Sequence, residues 1–98
     1  MAKVTPETMM PVHVRTARAI LGASTREFAA SAGGLVTISK LRNLENDLAV
    51  SADVRAAIMQ AFEKAGIELL NGGRPGARVK DQAAYKAALK ALDRLGGE

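Results

Sequence analysis

The stretch Ser24-Thr25-Arg26-Glu27-Phe28-Ala29-Ala30-Ser31-Ala32-Gly33-Gly34-Leu35-Val36-Thr37-Ile38-Ser39-Lys40-Leu41-Arg42-Asn43-Leu44-Glu45-Asn46 decides the fold. It opens on Ser24 with Glu27 three residues on, the form of a capping box, in which a hydroxyl and a carboxylate satisfy the free N–H groups of a helix start. The helix that follows turns Phe28, Ala29 and Ala32 inward and breaks at Gly33-Gly34. Thr37 then caps a second helix, from Ile38 to about Asn46, with Leu41 and Leu44 facing the core.

Working outward, Pro11 suits the first turn of a preceding helix, and Val14, Ala17 and Leu21 share one face of it. Gly22 ends that helix, since glycine enters the left-handed conformation without cost. On the other side Ser51 caps a longer helix, with Asp53 near its positive end and Gly66 at its close. Val54, Ala57, Ile58, Ala61, Phe62 and Ala65 follow the three-four spacing of a core stripe. Ile67-Glu68-Leu69-Leu70 and Ala77-Arg78-Val79-Lys80 then read as a β-hairpin around a six-residue loop, 71–76. That loop is rich in glycine but lacks the Gly-Lys-Ser/Thr ending of a phosphate cradle, so it reads as a turn. Asp81 caps a last helix through Leu95. Its apolar stripe is Ala84, Tyr85, Ala88, Leu89, Leu92 and Leu95, with Lys86, Lys90 and Arg94 four apart on another face.

Composition narrows the function. The chain has 98 residues, enough for one modest core. Aromatic residues are only 3%, so the apolar content is mostly Ala, Leu, Val and Ile, which favours helix over a β-sandwich. The formal net charge of +4 agrees with a nucleic-acid partner and equally with a mildly basic solvated surface. With no cysteine and one histidine, His13, expected on a helix surface, neither a metal site nor a disulfide is expected. Glu27, Glu45, Asp47 and Asp53 have no histidine or cysteine partner and read as caps and ion pairs, so no enzymatic role and no cofactor is expected. No apolar run approaches the roughly 20 residues of a membrane span. The opening residues lack the apolar stretch of a signal peptide, and a cytoplasmic location is the default.

From Val14 to Glu45 the chain resembles the Xre/Cro-like phage-repressor family of helix-turn-helix regulators. Val14-Arg15-Thr16-Ala17-Arg18-Ala19-Ile20-Leu21-Gly22 is similar to that family's first helix with its arginine and closing glycine. Ser24-Thr25-Arg26-Glu27-Phe28-Ala29 matches the opening of its second helix, with Thr25 where the family usually has Gln. Thr37-Ile38-Ser39-Lys40-Leu41-Arg42-Asn43-Leu44-Glu45-Asn46 matches its recognition helix. The likeness continues through Gly66-Ile67-Glu68-Leu69 and Pro75-Gly76-Ala77-Arg78-Val79. One departure is a turn about two residues longer than the family norm, at Gly33-Gly34-Leu35-Val36.

The resemblance implies a mainly α fold: a repressor-like helix-turn-helix domain of four helices, a short β-hairpin and a C-terminal amphipathic helix. The chain divides into a tail (1–10), the DNA-binding domain (11–66), the hairpin (67–80) and the last helix (81–98). It further implies sequence-specific binding of double-stranded DNA, as a homodimeric transcriptional repressor on a short operator. A helix of about 10–12 Å diameter fits the major groove, and the start of the preceding helix meets phosphate. Ser24, Thr25, Arg26 and Thr37 would then hold the backbone. Ile38, Ser39, Lys40, Arg42, Asn43 and Asn46 would offer the DNA-facing surface, with Ile38 on thymine methyls and Asn43 paired with adenine. Arg18 would form a partly buried ion pair with Glu45. Tyr85, Leu89 and Leu92 are the dimer candidates, although the last helix could equally dock on its own core; a membrane surface suits it least, because it has no Trp or Phe anchor. The alternative function is a protein-interaction module, antiactivator or antitoxin-like, that reuses the fold with a protein partner.

Overall fold

Every described helix after the first begins at a residue whose side chain closes its first turn. The structure, a computed structural model, describes residues 3–71 and 73–96, with side chains through Arg94. Five helices and two strands run in the order α1 (Pro11–Leu21), α2 (Thr25–Ala32), α3 (Ile38–Glu45), α4 (Ala52–Lys64), β1 (Ile67–Asn71), β2 (Pro75–Val79) and α5 (Gln82–Gly96). The capping box before α2 is complete: Ser24 Oγ accepts from the Glu27 N–H at 3.1 Å, and Glu27 Oε1 accepts from the Ser24 N–H at 2.8 Å. Thr37, Ser51 and Asp81 accept in the same way from Lys40, Val54 and Ala84. Gly22 closes α1 at φ 65, as its position requires.

The helices enclose one core. Val14, Ala17 and Leu21 of α1, Phe28 and Ala29 of α2, Leu41 and Leu44 of α3, and Val54, Ile58 and Phe62 of α4 are buried together. Phe28 and Phe62 stack at its centre with ring centroids 4.4 Å apart. The residues ahead of α1 join it: Val4 and Met9 are buried, so this segment is a lid on the core rather than a tail. Arg55 of α4 fixes the lid, donating from Nε to the Pro6 carbonyl (2.7 Å) and from a terminal nitrogen to the Met9 carbonyl (2.5 Å).

The hairpin is longer, and its loop shorter, than the sequence suggests. β1 and β2 pair antiparallel from Ile67↔Val79 to Asn71↔Pro75, so Asn71, Pro75 and Gly76, expected in the loop, belong to the strands. Lys80 donates its N–H to the Gly66 carbonyl at 2.7 Å, so the hydrogen-bonded pairs fall on alternate residues counted from there. Pro75 then sits in a pair that asks for no N–H, and a proline can belong to the strand. Glu68 and Arg78 face each other across the ladder and form an exposed ion pair at 2.7 Å.

His13 is not on a surface. It is fully buried, where Nδ1 accepts from the Met10 N–H (2.9 Å) and Nε2 meets the Leu70 carbonyl (2.9 Å). A backbone N–H can only donate and a carbonyl can only accept, so the ring proton resides on Nε2. The nitrogen chemical shifts of the labelled imidazole are expected to report that tautomer. His13→Leu should strand both backbone partners and cost about 1–3 kcal/mol, read as a lower denaturant midpoint.

The last helix docks on its own domain. Tyr85 donates its hydroxyl to the Ile20 carbonyl at 2.9 Å, Leu92 is buried, and Leu89 packs against the core. The three residues expected at a dimer contact are therefore engaged within the chain, because the apolar stripe of α5 fills the side of α1 and α2. The side chain of Leu95, expected on that stripe, lies outside the described residues. No described helix is long and apolar enough to cross a membrane.

Candidate nucleic-acid interface

The placement of α3 follows from its two ends. At its start the five-residue turn from Gly33 to Thr37 leaves α2 through Gly33, whose φ of 95 and ψ of 175 suit glycine almost alone. Val36 is buried and donates its N–H to the Gly33 carbonyl at 3.2 Å, so the turn is pinned to the core one residue before the Thr37 cap. Leu35, the residue before that anchor, projects outward and is 53% exposed.

At its end α3 is held by an arginine fork. Arg18 of α1 donates from Nε to Glu45 Oε2 at 3.0 Å and from a terminal nitrogen to Oε1 at 2.9 Å. Its remaining terminal nitrogen reaches the Ala23 carbonyl at 2.9 Å, which ties in the link between α1 and α2. The Glu45 side chain is only 8% exposed and that of Arg18 23%. The expected partly buried pair is present, with the planar two-bond geometry that arginine allows and lysine does not. Arg15, which the sequence reading did not select, joins from one turn earlier. It donates to the main-chain carbonyl of Glu45, and its Nε lies 4.0 Å from Oε1. A cation suits that place, where the last carbonyls of α3 carry the negative end of the helix dipole. Its position three residues before Arg18, on the same face, was the available signal.

With Leu41, Leu44 and Glu45 turned inward, the opposite side of α3 is set. Ser39, Arg42, Asn43 and Asn46 follow the i, i+3, i+4, i+7 spacing of one stripe. Ser39, Arg42 and Asn46 are exposed and Asn43 half-buried, and neither asparagine amide bonds another described side chain or carbonyl. Lys40 is exposed at one flank of the stripe. Ile38 differs from expectation: it is half-buried and packs against the core, so only part of its side chain is available outside. Ser24, Arg26 and Thr37 are exposed and Thr25 half-buried at the starts of α2 and α3. The Ser24 and Thr37 oxygens already serve as caps, yet each hydroxyl keeps its proton to donate outward.

The surface so assembled joins two helix N-termini, three cations (Arg26, Lys40 and Arg42) and two amides. Amides and guanidinium groups can read base edges by paired hydrogen bonds, and helix N-termini and lysine heads bind phosphate. Glu27 is committed to its capping box, and Asp47, at φ 60 just past α3, is the exposed carboxylate nearest the helix end. Comparisons with family models, characterised proteins and solved structures give no match for this chain.

Proposed function

We propose that the chain is a sequence-specific double-stranded DNA-binding regulator of the Xre/Cro-like type, a repressor that acts on a short operator as a homodimer. The observation that carries the reading is the polar stripe Ser39, Arg42, Asn43 and Asn46 on a short helix fixed from beneath by the Arg18–Glu45 fork. Burying a charge pair is a costly way to hold a helix, and it is worthwhile where the outer face must keep one orientation. Two such helices spaced about one turn of DNA apart, roughly 34 Å, would read two half-sites.

Selection from a random duplex pool, followed by gel shift at several salt concentrations, tests this directly. A recovered site bound in preference to random duplex, with affinity falling steeply with salt, is the expected result. Asn43→Ala should cost about 1–3 kcal/mol on that site and little on random DNA. Lys40→Ala and Arg26→Ala should weaken binding to every sequence. A pool that yields no site, with no salt-dependent binding, overturns the proposal.

The second reading, a protein-interaction module, draws on Leu35 and Leu48. These lie on either side of α3 and are 53% and 56% exposed. Large exposed apolar side chains beside a polar stripe suit a protein surface better than a phosphate track.

A further inference from the structure

The cations of α5 are not explained by its packing. The helix turns Tyr85, Leu89 and Leu92 inward, and Lys86, Lys90 and Arg94 fall on the opposite side, all exposed. They succeed one another at four-residue intervals, the spacing at which like charges on a helix repel. Along Gln82–Gly96 three cations face a single carboxylate, Asp93, and among the described residues none of the three forms an ion pair. A helix that needed only solubility would interleave the two signs.

The far half of α5 lies beside the start of α2. Leu89, Leu92 and Asp93 line a cleft of about 220 Å³ together with Leu21, Gly22 and Glu27. Ser24, Thr25 and Arg26, the residues assigned to phosphate, open the helix at that same corner. Arg94 follows Asp93 of that cleft, so the far end of the row lies near the start of α2, with the carboxylates Glu27 and Asp93 between them.

We infer that Lys86, Lys90 and Arg94 form a second phosphate-binding track, which extends the DNA contact from α2 along α5. This rests on the DNA-binding reading proposed above. The row rises about 12 Å over eight residues, and one strand of duplex carries a charge about every 3.4 Å along its axis, so three cations meet three to four phosphates. Amides and hydroxyls that could read bases are missing between them, so the track strengthens binding to all sequences alike. The occupant is a polyanionic duplex because three cations stand in a line on flexible stems against one carboxylate.

The test is the triple variant Lys86→Gln/Lys90→Gln/Arg94→Gln in the full chain, titrated with the selected site and with random duplex over 50–200 mM salt. Each lost phosphate contact flattens the logarithmic salt slope by about 0.9, so the slope should drop by about 2.7 on both DNAs. Over that salt range the wild type should lose roughly 40-fold more affinity than the variant. Thermal melting should show the variant as stable as wild type or slightly more so, since it relieves like-charge repulsion. An unchanged slope in a variant that still prefers the selected site overturns the track while leaving the DNA-binding reading intact. Failure of the wild type to bind any duplex overturns both. Binding of wild type but not variant to phosphatidylglycerol vesicles, with DNA binding equal in the two, overturns the track in favour of a lipid surface.

Discussion

Glu45→Ala is expected to lower stability by about 3 kcal/mol and, under the function proposed above, to weaken DNA binding beyond that loss of folded protein. Removing one member of a buried ion pair costs about 3–5 kcal/mol, because the partner charge is stranded away from water. The lower end applies here for two reasons. The Arg18 side chain keeps 23% exposure and its bond to the Ala23 carbonyl, and Arg15 still holds the main-chain carbonyl at residue 45. In a domain of this size each kcal/mol moves the melting temperature by about 4–8 °C, so a fall of roughly 12–24 °C is expected. Arg18→Met with Glu45→Leu should recover part of it, since an apolar pair strands no charge. The recovered protein should bind DNA less well than its stability suggests, because it lacks the fork that orients α3. A Glu45→Ala melting curve that overlays wild type would reduce the fork to a surface pair worth at most about 1 kcal/mol.

Gly66→Ala should be at least as damaging, by a different route. Gly66 is buried at φ 78, and its carbonyl accepts from the N–H groups of Lys80 and Asp81. A Cβ there would overlap the Asp81 carbonyl oxygen and come within 2.9 Å of the Tyr85 nitrogen. Both obstacles are backbone, so neither can rotate aside. The left-handed conformation costs a side chain about 1–2 kcal/mol and overpacking about 1–3 kcal/mol more, so a loss of about 3 kcal/mol or more is expected by chemical denaturation. The start of α5 would have to move, and the Tyr85 bond to Ile20 with it. Gly22→Ala is the control: φ is 65, but an added Cβ meets nothing within 4 Å, so only the conformational cost of about 1–2 kcal/mol remains. Equal effects at the two glycines would show that α5 is not seated tightly on Gly66.

What the sequence revealed was local. Ser24, Thr37, Ser51 and Asp81 are legible because a cap acts on a backbone group two or three residues away. The stripe on α3 is legible for the same reason: its spacing and the inward leucines lie within one short window. The features that escaped depend on partners far along the chain. Nothing near His13 shows that the Leu70 carbonyl waits 57 residues away, and the chain around Val4 and Met9 has no periodicity to mark them as core. The apolar stripe of α5 would look the same whether it met its own domain or a second subunit, and only the fold decides. Arg18 and Glu45 were paired through resemblance alone, since 27 residues separate them. Arg15 needed the placement of α3 before its role could be seen.

The latch between Arg55 and the Pro6 and Met9 carbonyls has a consequence for the order in which the protein is made. Val4 and Met9 leave the ribosome well ahead of the arginine that secures them, which follows almost fifty positions later. At synthesis rates of about 5–20 residues per second, they wait roughly 3–10 s, apolar and unclaimed. The lid has no helix or strand of its own to form meanwhile, so it closes on a body already built from α1 to α4. Over that interval a nascent-chain chaperone would find Val4 and Met9 as apolar side chains with no local structure to cover them.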